Sequence, residues 1–158
     1  MKKVFISSAT RYDMNCGDKD YGENIRIIRL PDNSVSGQIK TVPEHCDNAV
    51  LDLMGKARAK PLKKFLKMFQ KAGKRNRFLT YYFIAAYPGD AEKEMINLRD
   101  FIGKNLMINP QQVQIFTPTP STNATMMHYT EKDLSGNKIF VEKDRNNKQR
   151  QKRKNCRN

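Results

Sequence analysis

Residues 78–94, FLTYYFIAAYPGDAEKE, read as a buried strand, a tight turn and the start of a helix. Nine of the ten residues from 78 to 87 are apolar or aromatic; Thr80 is the exception. An uninterrupted run of this kind, rich in aromatic residues and ended by Pro88-Gly89, suits a strand covered on both faces. Asp90 is placed to cap the next helix, with Glu92 and Glu94 in its first turn, where the helix dipole favours negative charge. The turn leaves the carboxyl end of the strand, which is where open α/β sheets and barrels hold ligands.

Working outward, the same grammar recurs. Val4-Phe5-Ile6 reads as a short strand, and residues 14–24 as loop. Residues 25–30 fit either a helical turn or a strand. Residues 35–42, VSGQIKTV, read as a β-branched strand closed by Pro43, with Glu44-His45 at its carboxyl end. A helix over 47–54 stops at Gly55. The next helix, from Pro61 to about Lys74, sets Leu62, Phe65, Leu66, Phe69 and Ala72 at helical spacing, with lysines mostly opposite. The helix after the opening strand runs over 91–104 with Met95, Leu98, Phe101 and Ile102 as its buried stripe. Residues 113–116 form a strand that Thr117-Pro118-Thr119-Pro120 terminates. Ser121 or Thr122 then caps a short helix, and 138–141 reads as a weak strand. Strands alternating with helices predict an α/β fold built on a mainly parallel sheet with crossover helices.

The net charge of +14 is unevenly placed. Residues 56–77 hold ten Lys or Arg and no acid, and residues 143–158 hold eight against one. These two stretches more than account for the total, so the remainder of the chain is slightly acidic. Basic segments suit a polyanion such as nucleic acid; the plain alternative is a solvated helix face and a disordered tail. On the first view Lys63, Lys64, Lys67, Lys71 and the tail would grip phosphates. Cys16, Cys46 and Cys156 are too scattered for a disulfide framework or a CxxC metal site and fit a reducing compartment. The amino-terminal apolar run is too short for a signal peptide, and no stretch approaches a membrane span. The expectation is a soluble, cytoplasmic protein with no metal ligands of its own.

Three strand ends are polar: 40–45, 88–90 and 117–120. A parallel sheet brings such ends to one rim. Glu44 and His45 are the candidate acid/base pair there. His128 has no carboxylate nearby in sequence until Glu131. No HExxH, GxSxG, phosphate-binding loop or GxGxxG is present.

Several stretches together resemble the YgiQ-type radical S-adenosylmethionine proteins. Val35-Ser36-Gly37-Gln38-Ile39-Lys40 with Val42-Pro43-Glu44-His45 is similar to that family's VSGQLKVAPEH. Tyr82-Phe83-Ile84-Ala85-Ala86 with Pro88-Gly89 resembles its YFIAxHPG. Val113-Gln114, Phe116-Thr117-Pro118-Thr119-Pro120 and Tyr129-Thr130 resemble its VQDFTPTPMTLATAMYYTG. The resemblance implies a partial (β/α) barrel over 1–141, the C-terminal half of the whole, followed by a basic, disordered tail over 142–158. It implies S-adenosylmethionine and a 4Fe-4S cluster in the parent protein. The family's CxxxCxxC cluster motif lies upstream and is absent here, so the missing N-terminal half becomes the expected partner and this chain alone is not expected to be catalytic. By position, Gln38, Lys40 and Glu44 would face the ribose and methionine of the cofactor. Ile84, Ala86 and Asp90 would lie near the adenine, and Thr117 and Pro118 at the lip of the last strand. Tyr82, Ala86 and Asp90 depart from the family's loose GxIxGxxxE pattern. Some relatives act on tRNA, which makes a basic RNA-binding module the alternative reading; a third is an α/β fragment with no ligand.

Overall fold

A computed structural model describes residues 12–13, 38–72, 78–106 and 112–156. The expectations for 4–6, 14–24, 25–30 and 35–37, and the expected end of the Pro61 helix at about Lys74, lie outside these residues. The described elements are β1 (Gln38–Glu44), α1 (Asn48–Leu53), α2 (Ala59–Ala72), β2 (Phe78–Ala85), α3 (Glu92–Asn105), β3 (Gln112–Ile115), α4 (Asn123–Thr130) and α5 (Arg145–Cys156).

The strands form one parallel sheet in the order β1-β2-β3, with β2 in the middle. Parallel strands need crossovers, and α1 with α2, then α3, supply them. The fold is therefore α/β, consistent with a fragment of a (β/α) architecture. One face of the sheet carries Ile39, Leu79, Tyr81, Phe83, Ala85 and Val113, all buried in a single core with α2 and α3. Leu62, Phe65 and Leu66 come from α2; Met95, Leu98, Phe101 and Ile102 come from α3. Burying one such side chain contributes about 1.5–3 kcal/mol, so this layer dominates the stability of the described residues.

The other face differs from the expectation of equal cover. Lys40, Tyr82 and Ile84 are half-buried, and Gln112 and Gln114 are exposed. Only Thr80 is buried there; its Oγ1 accepts from Gln38 Nε2 at 3.3 Å, while its carbonyl accepts from Thr41 Oγ1 at 3.0 Å. The alternation of side chains explains the split: one set meets the helices, the other meets whatever lies across the sheet.

Element ends correct the sequence reading in five places. Pro43 does not close β1 but lies within it, and the register with β2 slips between Thr41 and Glu44. A residue without an N–H cannot extend the ladder, and the bulge absorbs it. Pro61 is the third residue of α2, still inside the first turn, whose N–H groups need no helical partner. The cap of α3 is Ala91, with no side-chain bond, because the Asp90 carboxylate is used elsewhere. Residues 138–141 form no strand; a single antiparallel bridge joins Lys132 and Lys138.

The fifth correction is the largest. Residues 145–156 are a helix, not a tail without structure, and α5 lies against β3 and α3. Asp144 starts it, its Oδ1 accepting from Asn147 N at 2.8 Å. Lys154 and Arg150 reach Glu92 of α3 at 3.0 and 4.0 Å. Composition alone says solvent for a segment with no apolar stripe; the acidic first turn of α3 gives it a place to dock.

Candidate functional site

In a parallel sheet the three carboxyl ends fall on one rim, and backbone strain gathers there. Glu44, Ala86 and Ser121 have φ of 62°, 60° and 63°, in the left-handed region that side chains other than glycine rarely occupy. Glu44 ends β1, Ala86 follows β2 directly, and Ser121 ends the Thr117–Pro120 loop after β3. Strain of this kind persists only where surrounding contacts hold it.

A buried pair holds the second strain point, and its His45 directly follows the first. His45 Nδ1 accepts from the Asp47 amide at 3.0 Å, which places the ring proton on Nε2. Nε2 faces Asp90 Oδ1 at 3.4 Å, with both side chains fully buried, and neither atom has another hydrogen-bond partner. Asp90 Oδ2 accepts from the Ala86 amide at 2.9 Å, satisfying the N–H of the residue at φ 60°. Burial pushes the Asp90 carboxyl above its ordinary range, against the lowering effects of His45 and the Ala86 amide. Asp90 and His45 thus form a joint between the end of β1 and the turn after β2. Gly89, at φ 91°, completes that turn; its amide donates to the Phe140 carbonyl at 2.7 Å, and an added Cβ would lie 2.3 Å from Leu53 Cδ1.

Adjacent in sequence, Glu44 and His45 are not partners. Glu44 pairs with Lys56 at 2.7 Å and stays partly exposed, while His45 is sealed against Asp90. Of the sequence candidates, Glu44, Thr117 and Pro118 keep exposure at the rim; Lys40 is half-buried opposite Thr80, short of the rim, and Gln38, half-buried at the other end of β1, donates its amide to Thr80. Ile84 packs into a second apolar cluster with Val50, Tyr87, Phe116 and Met127. Ala86 and Asp90 are buried and position the turn.

Sequence reasoning missed the aromatic cap of this rim. Tyr87 meets Phe116 edge-on at 5.1 Å, Phe116 lies 5.7 Å from His128, and His128 lies 5.4 Å from Tyr129. Burial, then the nearby Glu44, pushes the Tyr87 hydroxyl upward. Burial, then Lys148 and Lys143, holds His128 below the ordinary histidine range. The usable signal was position: Tyr87 and Phe116 each fall just past a parallel strand, as His45 and Asp90 do.

As a metal ligand, Cys46 does not fit. Its thiol donates to the Asn97 carbonyl at 3.6 Å, and burial, then Asp47, pushes its pKa up to about 12, so it does not supply a thiolate. Among the described residues no three His, Cys, Asp or Glu side chains gather as a metal site. No helix among them is long and apolar enough to cross a membrane.

No family model matches the chain. It is similar along nearly its whole length to UPF0313 proteins. One from Fusobacterium nucleatum is 46% identical over 156 residues, covering 96% of this chain and 27% of that protein. One from Thermotoga maritima is 41% identical over 149 residues, 90% of this chain and 25% of that protein. One from Clostridium botulinum is 37% identical over 155 residues, 96% of this chain and 23% of that protein. The chain therefore spans about a quarter of the length of the curated relatives it matches.

Proposed function

We propose that this chain is the C-terminal part of a YgiQ-type radical S-adenosylmethionine protein and supplies part of the rim where cofactor and substrate meet. The observation that carries the reading is the parallel sheet whose three carboxyl ends share one strained rim, with left-handed backbone at Glu44, Ala86 and Ser121. Similarity to a quarter of much longer proteins supports a piece of a larger barrel.

The residues suit S-adenosylmethionine in one respect. Lys40 and Glu44 are partly exposed on β1, and the Glu44 carboxylate, which pairs with Lys56 at 2.7 Å, can also accept from the ammonium of a methionine moiety. Thr117 offers an exposed hydroxyl at the lip of β3. Asp90, Ala86 and His45 act as positioning residues, since none is exposed. When bound with its iron–sulfur cluster, S-adenosylmethionine supplies a 5′-deoxyadenosyl radical; the cluster ligands would come from the other part of the barrel. This chain's own share is to hold the methionine end and to keep the turn after β2 in place.

The test uses the longer Fusobacterium nucleatum relative, reconstituted anaerobically with iron and sulfide, and follows cluster absorbance and 5′-deoxyadenosine release. The expected result is a cluster and slow cofactor cleavage, with replacement of the residues matching Lys40 and Glu44 by alanine weakening S-adenosylmethionine binding about tenfold while leaving the cluster spectrum unchanged. A relative that takes up no cluster and releases no 5′-deoxyadenosine would overturn the proposal.

A further inference from the structure

Docking of α5 on α3 creates a second concave site outside the rim. A cleft of about 370 Å³ opens between the two helices, lined by Met95, Ile96 and Arg99 of α3, by Arg150 and Gln151 of α5, and by Phe140. Ligand pockets begin at about this size. Its chemistry is mixed. Phe140 is 48% exposed and Ile96 41%, an apolar surface left open to water. Gln151 Oε1 is buried with no hydrogen-bond donor among the described residues. Glu92 and Lys154, also on the wall, neutralise each other.

Basic residues outnumber acids around the cleft: Arg99, Arg150 and Lys154 line it together with Glu92 and Glu142. Helix α5 holds six Lys or Arg and no acid. Arg153 lies one turn from Arg150, outside the cleft lining and on the flank of α5 beside it. Arg153 has no carboxylate partner among the described residues, and Arg99 on the opposite wall pairs only with its neighbour Asp100 at 3.2 Å. Basic side chains beside an open aromatic ring and an amide are the parts a single-stranded polynucleotide uses: phosphates on the cations, a base against the ring, the base edge on the amide. A bilayer fits less well, because α5 offers no apolar side chain along 145–154 to insert. On the lysine face of α2, Lys63 lies over the Phe101 ring at 5.8 Å.

We propose that the α3–α5 cleft binds single-stranded polynucleotide, taking one base against Phe140 and Gln151 with the flanking phosphates on Arg99, Arg150 and Arg153. RNA and DNA share this chemistry, and the experiment separates them.

The experiment is fluorescence anisotropy of labelled 12-nucleotide RNA and DNA strands with the full chain, at low and moderate salt. The expected result is binding that weakens steeply with salt. Phe140→Ala and Gln151→Leu should each lower affinity about tenfold, and abasic positions in the strand should abolish the Phe140→Ala effect. Removing charge by Arg99→Gln or Arg153→Gln should reduce the salt slope by about one each. Thermal melts of the variants, unchanged from the parent chain, would confirm that the fold is intact. Three results would overturn the proposal: no binding at low salt; binding unaffected by Phe140→Ala and lost instead on neutralising Lys63, Lys64, Lys67 and Lys71; or binding to phosphatidylserine vesicles, lost with Arg99→Gln and Arg153→Gln, while neither strand binds. No cluster or S-adenosylmethionine takes part, so this outcome is independent of the radical reading.

Discussion

Two side-chain contacts, each with a carboxylate at its centre, join neighbouring parts of this chain, and burial makes them different devices. His45 and Asp90 meet at 3.4 Å with no solvent exposure and tie β1 to the turn after β2. Glu92 meets Lys154 and Arg150 at 3.0 and 4.0 Å with its side chain 68% exposed, and ties α3 to α5. In the interior, water cannot replace a lost partner, so removing either member leaves a polar group stranded. At the surface, water and salt ions can replace it, so the contact sets position more than stability. The rim is thus held rigidly, whereas the cleft beside α5 is held by forces that salt can loosen.

Breaking the buried contact should have the largest effect. Asp90→Ala strands the His45 Nε2 proton and the Ala86 amide together, and at about 1–3 kcal/mol for each stranded donor, urea denaturation should show a loss of about 2–5 kcal/mol. Asp90→Asn keeps an acceptor for Ala86 and should lose less. A loss under about 1 kcal/mol for the alanine variant would mean the joint does not hold the rim.

Reversing the surface contact comes next. Glu92→Lys sets three positive charges together at the α3–α5 seam. Trypsin should then cut within 145–154 several times faster, located by mass spectrometry, while the denaturation midpoint of the sheet and its helices stays near that of the parent chain. Unchanged cutting would show that α5 docks by something other than these pairs.

Salt should act in the same direction more weakly. At 1 M the screening length is about 3 Å, so the exposed pairs lose much of their attraction while the buried one does not. The expected outcome is faster cutting in 145–154 and no slackening of the rim, read by hydrogen exchange at the Ala86 amide.

Acid should give the smallest change. His128 sits below the ordinary histidine value of 6.5, first through burial and then through Lys148 and Lys143. Its unfolded form therefore binds a proton more readily than its folded form. The stability it contributes is present above pH 6.5 and is lost as pH falls through the lower folded value. Thermal melts should fall slightly between pH 7.5 and 5, and His128→Gln should reduce that difference.

The two basic helices show what sequence could reveal. In α2, Leu62, Phe65 and Leu66 recur at helical spacing among lysines, and the pattern alone predicted both the helix and its buried face. In α5 no apolar residue precedes Cys156, so a helix that lies against β3 and α3 looked like a tail. The rim divides the same way. Its existence followed from alternating strands and helices, and the strand ends placed Glu44, Asp90 and Thr117 on it. Pairing did not follow: His45 belongs with Asp90, forty-five residues away, rather than with its neighbour Glu44.

By itself, then, the sequence determined the alternation, a central strand within the apolar run 78–87 and the apolar stripes of α2 and α3, because those depend on local periodicity and on burial that every side chain reports; the strand itself ends at Ala85. Tertiary structure decided which charges meet, which strand face is left open, and where α5 lies. These depend on the register of parallel strands and on partners far apart in the chain, and a one-residue slip such as that between Thr41 and Glu44 is enough to change them.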